Sequence, residues 1–381
     1  MSTAVNTTNP PQSQTVAAQG GGTSKVLTFT NSSYSRAMPF TIPGAQNLAL
    51  GSTIGPFDIP AYGWMRKVRL KFTVAGGGTT TAAVLSADYP WNLIQNITFQ
   101  DVDSDPTLTL DGYGLYLANK YGGYRRNGDP KGLSSWSAPD SYGNCTFTLD
   151  IPVEFIRRNA LGVLGNMNKK ATFKVTISTN TPAVLFTTQP VALPTFSVSG
   201  TLVAYSQPPT TDLLGNTLSQ SPPLPNTTQF WTMSADNAVS GTYDFTISRV
   251  GNYIRNLIFV TRSAGARVNT VFPENANLML DGVIRTALTA DMVTDDMVDL
   301  FDLSVSATAL ENKNLDTGVY VLPYTTDFDG SPGNELRDQY IATLSSSTFE
   351  LSGTYPSSTN TVQVYVNDIA PSGDMFSSFI G

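Results

Sequence analysis

The second half of this chain repeats the first half, block by block and in the same order. The matching blocks are Phe57–Thr73 with Phe245–Thr261, Leu108–Gly112 with Leu278–Gly282, Ile151–Pro152 with Leu322–Pro323, Thr172–Val175 with Thr348–Leu351, and Leu202–Tyr205 with Val362–Tyr365. Their offsets are 188, 170, 171, 176 and 160 residues, so the order is kept while the loops between blocks change in length. One short β-rich string can match another by chance, but five in one order indicate two similar domains in a single chain.

Composition excludes catalysis that depends on histidine, although it leaves open a carboxylate pair of the glycoside-hydrolase type among the 29 Asp and Glu. Charged residues make up only 13% of the 381 residues, and there is no histidine. A Ser-His-Asp or Cys-His arrangement is therefore impossible, and the chain lacks a common metal ligand. Cys145 is the only cysteine, which excludes an internal disulfide; we predict that it is a buried apolar residue, with a reactive thiol as the alternative. The sequence predicts that the protein is not an enzyme and has no catalytic, cofactor-binding or metal-binding residues.

Charge is distributed unevenly along the chain. The net charge is −7, which argues against nucleic-acid binding. Residues 1–208 carry 15 Lys and Arg against 10 Asp and Glu, whereas residues 209–381 carry 7 against 19. Either the opposite signs help neighbouring subunits to align, or the two domains simply have solvated faces of different composition.

No targeting or membrane signal is visible. Residues 1–22 lack both a basic segment and an apolar core of the secretory type, and no stretch reaches the roughly 18 apolar residues that span a bilayer. We expect a protein that is made and folded in a cytosol and is not an integral membrane protein.

The order of segments predicts five regions. Residues 1–24 are predicted to form a flexible N-terminal arm, because they hold two adjacent prolines and three consecutive glycines and no core-forming pattern. Residues 25–205 form the first domain, residues 206–228 a Pro-rich linker, residues 229–370 the second domain and residues 371–381 a C-terminal tail. We propose these boundaries from composition alone.

Strand patterns dominate both domains. Val68–Val74 alternates strictly, and further strands are predicted at 26–30, 93–100, 107–111, 145–151, 171–178 and 196–205. Short helices are predicted at 113–121, at 153–164, after a Thr294 cap and after an Asn334 cap up to 344. Parallel α/β folds need a helix after every strand, so the sequence predicts an all-β fold: two tandem eight-stranded antiparallel jelly rolls with short loop helices.

Three kinds of motif are candidate sites. Asp101–Asp105 has alternating carboxylates like a calcium loop, but Pro106 and Gly112 stand where such a loop needs glycine and glutamate, so a solvated acidic turn is favoured. Sequons begin at Asn31, Asn96, Asn144 and Asn226, and we interpret them as a result of the Asn- and Thr-rich composition. The basic pairs Arg125-Arg126, Arg157-Arg158 and Lys169-Lys170 indicate either solvated or ion-paired surface residues or contact with an acidic partner.

Three segments carry a resemblance to a known family. Residues 92–121, 150–178 and 315–340 are similar in order and pattern to the double jelly-roll major capsid proteins of tailless icosahedral viruses, above all the tectivirus-type coat proteins of membrane-containing bacteriophages. The resemblance extends over roughly residues 40–370. It implies a homotrimer whose six jelly rolls make a nearly hexagonal capsomer. The implied partners are neighbouring capsomers, penton or minor capsid proteins and, in some members, an internal membrane.

The leading hypothesis is therefore a structural major capsid protein of the virion. Duplication of a sandwich lets a three-fold trimer occupy a position with six neighbours. The alternative is a carbohydrate-binding or adhesive jelly-roll protein, such as a spike or lectin-like module. A cupin-like enzyme is a weaker third hypothesis, because that chemistry usually needs histidine ligands.

Overall fold

The structure is a computed structural model. It describes residues 28–78, 82–125, 128–157, 160–208, 211, 228–301, 303, 315–325 and 339–370. The predicted arm at residues 1–24, the tail at 371–381, Asn226 and Asn334 lie outside these residues, as does most of the predicted linker.

Strands make up most of the described chain. The first half contains β1 (Ser35–Phe40), β2 (Leu48–Ala49), β3 (Thr53–Asp58), β4 (Trp64–Ala75), β5 (Val84–Leu85), β6 (Ile94–Gln100), β7 (Pro106–Leu110), β8 (Cys145–Pro152), β9 (Leu164–Gly165), β10 (Lys174–Thr179), β11 (Phe186–Thr188) and β12 (Thr195–Tyr205). The second half contains β13 (Gln229–Thr246), β14 (Tyr253–Ser263), β15 (Ala266–Arg267), β16 (Glu274–Leu280), β17 (Val283–Leu288), β18 (Val319–Pro323), β19 (Ile341–Ala342) and β20 (Phe349–Ile369).

Helices are few and short. They are α1 (Phe29–Ser32), α2 (Gly112–Tyr121), α3 (Pro182–Leu185) and α4 (Ala290–Phe301), with 3₁₀ turns at Trp91–Leu93, Pro130–Gly132 and Asn269–Val271. The predicted helix at 113–121 is confirmed as α2. The six predicted strands from 68–74 to 196–205 are confirmed as β4, β6, β7, β8, β10 and β12.

The first half is a jelly roll of two four-stranded sheets. One sheet has the order β1-β12-β4-β8, and the other has the order β3-β10-β6-β7. The inward side chains of β4 (Met65, Val68, Leu70, Phe72 and Val74) are all buried. The outward side chains alternate with them and are partly or fully exposed, as expected for a sheet with one face on the core.

The second half repeats this order with fewer but longer strands. β13 and β20 each run through both sheets, so each does the work of two strands of the first half. One sheet has the order β13-β20-β14-β18. The other has the order β13-β20-β16-β17, and it uses the end of β13 and the beginning of β20. In the first half α2 precedes β8, which pairs with β4, and in the second half α4 precedes β18, which pairs with β14. The predicted pair of eight-stranded jelly rolls is confirmed.

Backbone pairing shows how closely the halves correspond. Phe57 lies opposite Val175, and Phe245 lies opposite Leu351, so both partners follow the predicted offsets of 188 and 176 residues. The next hydrogen bond is also shared: Ile59 N donates to the carbonyl of Phe173 at 2.9 Å, as Ile247 N donates to that of Phe349 at 2.7 Å. These two sequence matches are correct in both strand and register.

The later part of the first match, which covers β4 and β14, finds the right strand in the wrong register, and so does the match of Leu202–Tyr205 with Val362–Tyr365. Lys67 lies opposite Pro152 and Asn256 lies opposite Pro323, so Lys67 is the counterpart of Asn256 and the offset is 189. β4 and β14 both have a bulge, at the counterparts Arg66 and Arg255, so the extra residue lies before β14, between Ile247 and Tyr253. The shift of one residue exchanges the outward and inward faces of the strand in the predicted alignment. For the last strand, Val203 and Asn367 are counterparts, which puts that match four residues out of register.

The match of Leu108–Gly112 with Leu278–Gly282 is wrong. The first segment ends β7 and begins a helix, whereas the second ends β16 and begins a hairpin. Pairing makes β16 the counterpart of β6, because β16 pairs with β20 as β6 pairs with β10. The shared letters reflect two different uses of an aspartate: Asp111 caps α2, and Asp281 accepts backbone bonds from Ser347 and Thr348.

Several helix and strand predictions need correction. The described part of 153–164 contains no helix; an isolated bridge joins Ile156 to Leu161 instead, because the segment is held against β4 by bonds to Arg66 O. Phe29 and Thr30, the end of the strand predicted at 26–30, belong instead to α1 (Phe29–Ser32). The helix predicted from Asp295 begins at Ala290, and Thr294 lies inside it with its hydroxyl on Ala290 O. Within 335–344, the described end carries β19 and not a helix.

The two jelly rolls share one continuous core. A single cluster of buried side chains includes Phe72 and Phe147 of the first roll, Phe259 and Leu351 of the second, and all the buried apolar residues of α2. β12 ends at Tyr205 and β13 begins at Gln229, and the predicted domain boundaries remain a proposal.

Candidate functional site

The contact between the two jelly rolls, here called the seam, is the most elaborate polar site of the described structure. It begins at a sheet edge, where Trp231 of β13 lies parallel to Leu108 of β7 and so joins a sheet of one roll to a sheet of the other. The indole is buried, and its Nε1 donates to Tyr124 Oη at 2.8 Å. Gln229, two residues earlier, donates from Nε2 to Val153 O at 2.9 Å. The edge of the first roll is therefore closed by the second.

Helix α2 lies under the second roll along its whole length. Asp111 begins the helix by accepting from Gly114 N at 2.6 Å. Every residue of the helix is buried, because one side packs on its own roll and the other meets β14 and β20. Gly114 makes the close approach possible: a Cβ there would lie 2.2 Å from the ring of Tyr365. The Tyr365 hydroxyl donates to Asp111 at 3.0 Å, and burial raises the pKa of both groups.

The end of α2 is capped by the second roll. Arg255 is fully buried and donates from Nη1 to Gly122 O at 2.9 Å and to Asn367 Oδ1 at 3.0 Å. Asn256 donates to Tyr121 O at 3.0 Å. The last carbonyls of a helix have no partner within the helix. Because Arg255 and Asn256 supply donors and positive charge at this negative end, the second roll completes a helix of the first.

Ion pairs cross the seam in both directions. Lys120 of the first roll lies 2.7 Å from Asp316 of the second, and Tyr121 donates to the same carboxylate at 2.9 Å. In the reverse sense, Asp88 of the first roll pairs with Arg262 and Arg267 of the second, each at 2.7 Å. Burial makes such pairs sensitive to loss of either partner, so the seam sets one arrangement of the two rolls.

Among the residues that the structure describes, nothing covers the corresponding surface of the second roll. We call it the open edge; it consists of β17, α4 and the groove between them. β17 pairs only with β16 in the described chain, and Val283 and Ile284 on it are 68% and 57% exposed. A groove of about 340 Å³ runs beside it. The groove is lined by Thr286, Leu288, Met292, Asp296, Asp299, Leu300, Val321, Leu322, Pro323 and Tyr324.

Helix α4 presents an acidic side to solvent. Thr289 caps it by accepting from Met292 N at 3.2 Å. Only Val293 and Met297 are buried, and they are one turn apart, facing the core. The other side carries four aspartates and no basic residue: Asp291, Asp295, Asp296 and Asp299.

The first roll exposes a face of opposite charge. We call it the basic face; it consists of the outward side chains of β4, Lys67, Arg69 and Lys71. Asp150 of β8 lies beside this face, with Lys67 at 2.6 Å, Arg69 at 2.9 Å and Arg125 at 2.5 Å. Burial alone would raise the pKa of Asp150, but these three cations hold it well below its usual range. One carboxylate faces three cations, so the cluster keeps an excess of positive charge.

The structure separates the basic pairs that the sequence singled out. Arg125 belongs to the Asp150 cluster, and Arg157 donates to Tyr124 O at 2.6 Å. Lys169 and Lys170 lie together in an exposed turn. Arg126 and Arg158, the second members of the two arginine pairs, lie outside the described residues. Arg125 is thus an ion-paired residue, as one of the two interpretations expected.

The other candidate motifs have local roles. Asp101 Oδ1 accepts from the backbone of Asp103 and Asp105, so the acidic turn uses its own first carboxylate to close. Asn96 lies within β6, and the Asn144 side chain accepts from Gly77 N. Cys145 is buried, which raises the pKa of its thiol to about 12 and confirms the apolar prediction.

Sequence reasoning missed the seam. Arg255 appeared only as a basic residue matched to Lys67, and Asp88, Asp316 and Tyr365 carried no signal. A buried residue of a seam differs from a surface residue only by what lies against it, and that depends on contacts between distant segments. The one available clue was β14, whose continuous apolar run predicts burial on both faces.

Within the described residues, no helix has the length and apolar character needed to cross a bilayer. The same part of the chain holds no cluster of three or more His, Cys, Asp or Glu side chains placed to bind a metal ion.

Comparison with known proteins shows the fold. No protein-family profile and no curated protein matches the sequence. Among solved structures, the chain is similar to the major capsid protein of Sulfolobus turreted icosahedral virus, with 13% identity and a TM-score of 0.62 over 90% of this chain and 99% of that one. It is also similar to the PBCV-1 virus capsid (10% identity, TM-score 0.60, 88% and 93%) and to the major capsid protein of bacteriophage PM2 (11%, 0.52, 90% and 99%). The resemblance to double jelly-roll major capsid proteins is confirmed at the level of fold.

Proposed function

We propose that this chain is the major capsid protein of a tailless icosahedral virus and assembles as a homotrimer into the virion shell. The observation that carries the proposal is the seam. Two like jelly rolls are locked side by side in one chain, so three copies present six similar units around a three-fold axis. The solved capsid structures with this fold match the chain over nearly its whole length, which supports the same role.

The role is structural and not enzymatic. The polar groups of the seam bond to one another across the two rolls, and so they hold the rolls together without presenting a reactive group. The buried Cys145 thiol is kept protonated and is not a nucleophile at neutral pH. The partners that we propose are further copies of the chain, neighbouring capsomers and penton or minor capsid proteins; a tectivirus-type particle with an internal membrane remains a prediction.

Sedimentation of the purified chain tests the trimer. We expect a species near three times 40.8 kDa at micromolar concentration, and electron microscopy of infected or expressing cells should show shells built from it. A stable monomer at that concentration contradicts the proposal. Binding to an immobilised glycan by such a monomer favours the carbohydrate-binding alternative.

The role of residues 1–24 in assembly is a separate proposal, since they lie outside the described residues. Deletion of residues 2–22 tests it. Normal trimers without particles assign the segment to contacts between capsomers, whereas normal trimers and normal particles exclude an assembly role.

A further inference from the structure

The two surfaces that meet in the seam each have a counterpart elsewhere on the same chain. In the first roll, the edge formed by β7 and α2 is covered by β13, β14 and β20 of the second roll. In the second roll, no described residue outside the roll covers the counterpart edge formed by β17 and α4. In the first roll, the counterpart of the covering surface, formed by β1, β4 and β12, is open too. Each chain therefore has two surfaces that correspond to the two sides of the seam: β17 with α4 on the second roll, and β1, β4 and β12 on the first roll.

Strand pairing identifies which residues correspond. Trp231 lies opposite Asn367, and Ala37 lies opposite Val203; because Asn367 and Val203 are counterparts, so are Trp231 and Ala37. On the other side of the seam, Leu108 lies opposite Phe99 of β6, and Thr286 lies opposite Leu278 of β16. Phe99 and Leu278 are counterparts, because they face Val175 and Leu351 respectively.

These correspondences place the groove of the open edge. Within the chain, β13 lies against Leu108 and Val153 of the first roll. Their counterparts Thr286 and Tyr324 both line the groove of about 340 Å³ in the second roll. Val153 and Tyr324 are matched by their backbone bonds, since each N donates at 3.1 Å to the carbonyl of an arginine, Arg66 or Arg255. The groove is thus the site that β13 fills in the first roll, left open in the second.

Charge favours the same partner. In the seam, α2 runs antiparallel to β14, with Tyr121 against Asn256 and Tyr113 against Arg262. Counted from the caps Asp111 and Thr289, the residues of α4 at those two places are Asp299 and Asp291. On β4, the counterparts of Asn256 and Arg262 are Lys67 and Thr73. Lys71 is the next residue on the same outward face of β4 as Thr73. An acidic helix therefore meets the basic face, which holds more positive charge than Asp150 neutralises.

Side-chain size is complementary as well. In the seam, the large Tyr365 packs on the small Gly114. The counterpart of Gly114 on α4 is Met292, which is 38% exposed, and the counterpart of Tyr365 on β12 is Thr201. The large and small partners exchange sides, so the second contact fills the same space from the opposite direction.

We propose that the open edge of one copy binds β1 and the basic face of a second copy, with Thr286 beside Ala37 and the acidic side of α4 along β4. This inference rests on the proposed trimer and specifies which surfaces form it. Three such contacts close the ring, and each repeats the geometry of the seam.

Cross-linking tests the placement. One batch of protein carries Ala37→Cys and a second carries Thr286→Cys; each folds as judged by circular dichroism, and the two are mixed, allowed to exchange and treated with a short bismaleimide. We expect a linked pair of chains from the mixture. Wild type, whose only cysteine is buried, is the blank, and Ala37→Cys mixed with Asp103→Cys is the matched control from an exposed turn.

A charge exchange tests the same contact without cysteines. Asp291→Lys and Lys71→Asp each place like charges together, and we expect each to weaken the trimer about tenfold across its three contacts, with recovery in the double variant. Asp103→Lys makes the same change in charge on an exposed turn and should leave the trimer unchanged.

The outcomes separate the two proposals. If wild type forms a trimer but the Ala37–Thr286 pair links no better than the control and the double variant does not recover, this contact is wrong and the trimer stands. If wild type forms no trimer, the proposed function itself fails. If a cysteine variant does not assemble, the charge-exchange variants, which need no cysteine, still test the contact.

Discussion

Helices α2 and α4 hold the same place in the two jelly rolls and have opposite surroundings. Every residue of α2 is buried, whereas only Val293 and Met297 of α4 are buried. The difference does not come from the rolls themselves, whose strands correspond in order. It comes from what lies on the outer side: α2 has the second roll against it, whereas no described segment of the chain covers the outer side of α4. The contrast between a fully covered helix and a half-covered one in like positions supports the proposal that another copy covers α4.

The largest expected effect is at the residue that closes the first edge. Trp231→Ala should lower the free energy of unfolding by about 3–5 kcal/mol, because it removes a large buried ring and the hydrogen bond that its Nε1 donates to Tyr124 Oη. Urea denaturation followed by circular dichroism measures the loss. Tyr34→Ala, at an exposed ring next to β1, should change it by no more than about 0.5 kcal/mol. Equal effects would break the contrast between a closed and an open edge.

Asp150→Asn should cost about 3 kcal/mol at neutral pH, because it leaves Lys67, Arg69 and Arg125 facing each other without a carboxylate. The pKa of Asp150 is lower in the folded chain than in the unfolded chain. Its contribution is therefore present above the unfolded pKa of about 3.9 and is lost as the pH falls further toward the folded value. The difference in unfolding free energy between wild type and variant should shrink as the pH is lowered from 5 to 2.

The second roll offers a carboxyl group with the opposite pH dependence. Asp368 is fully buried and has one arginine, Arg249, at 2.6 Å; burial raises its pKa in spite of that partner. The folded pKa lies above the unfolded value, so the stabilisation by Asp368 relative to Asn is greatest at low pH and declines as the pH rises above about 4. Denaturation of Asp368→Asn over the same pH series should give a slope of opposite sign to that of Asp150→Asn.

A smaller effect distinguishes the outer sides of the two helices. Gly114→Ala should cost about 1–3 kcal/mol, since the new methyl group overlaps the ring of Tyr365. Met292→Ala, at the same helical position of α4, should change the stability of the subunit by less than about 0.5 kcal/mol. Denaturation below the concentration at which the chain assembles compares the two variants, so that only contacts within the subunit contribute. A costly Met292→Ala would show that the outer side of α4 is already engaged in the subunit.

The smallest effect concerns where α4 begins. Thr289→Ala should cost about 1 kcal/mol, because Thr289 is the cap that accepts from Met292 N. Thr294→Ala should cost less, because that hydroxyl bonds only to Ala290 O within the helix. The reverse order would restore the start that sequence reasoning gave to this helix.

Local patterns were enough for the fold. The alternation in Val68–Val74 identified β4, and the repeated blocks identified two like domains, because strand periodicity and turn residues act over a few neighbours. The same patterns were ambiguous in 153–164, where apolar residues spaced like a helix are held instead by backbone bonds to β4. They also misplaced Leu108–Gly112 against Leu278–Gly282, since a strand that ends in Asp-Gly precedes either a helix or a hairpin.

The sequence by itself determined a β-rich chain with two jelly rolls, without histidine chemistry, and with opposite charge in its two halves. Only the tertiary structure decided that Arg255 is buried under α2, that Lys67 and Arg69 are partly exposed beside Asp150, and that no described segment fills the groove by β17. The physical reason is range. Periodicity and composition are properties of neighbouring residues, whereas burial of a polar group depends on which distant segment supplies its partner, and in this chain that segment lies more than one hundred residues away.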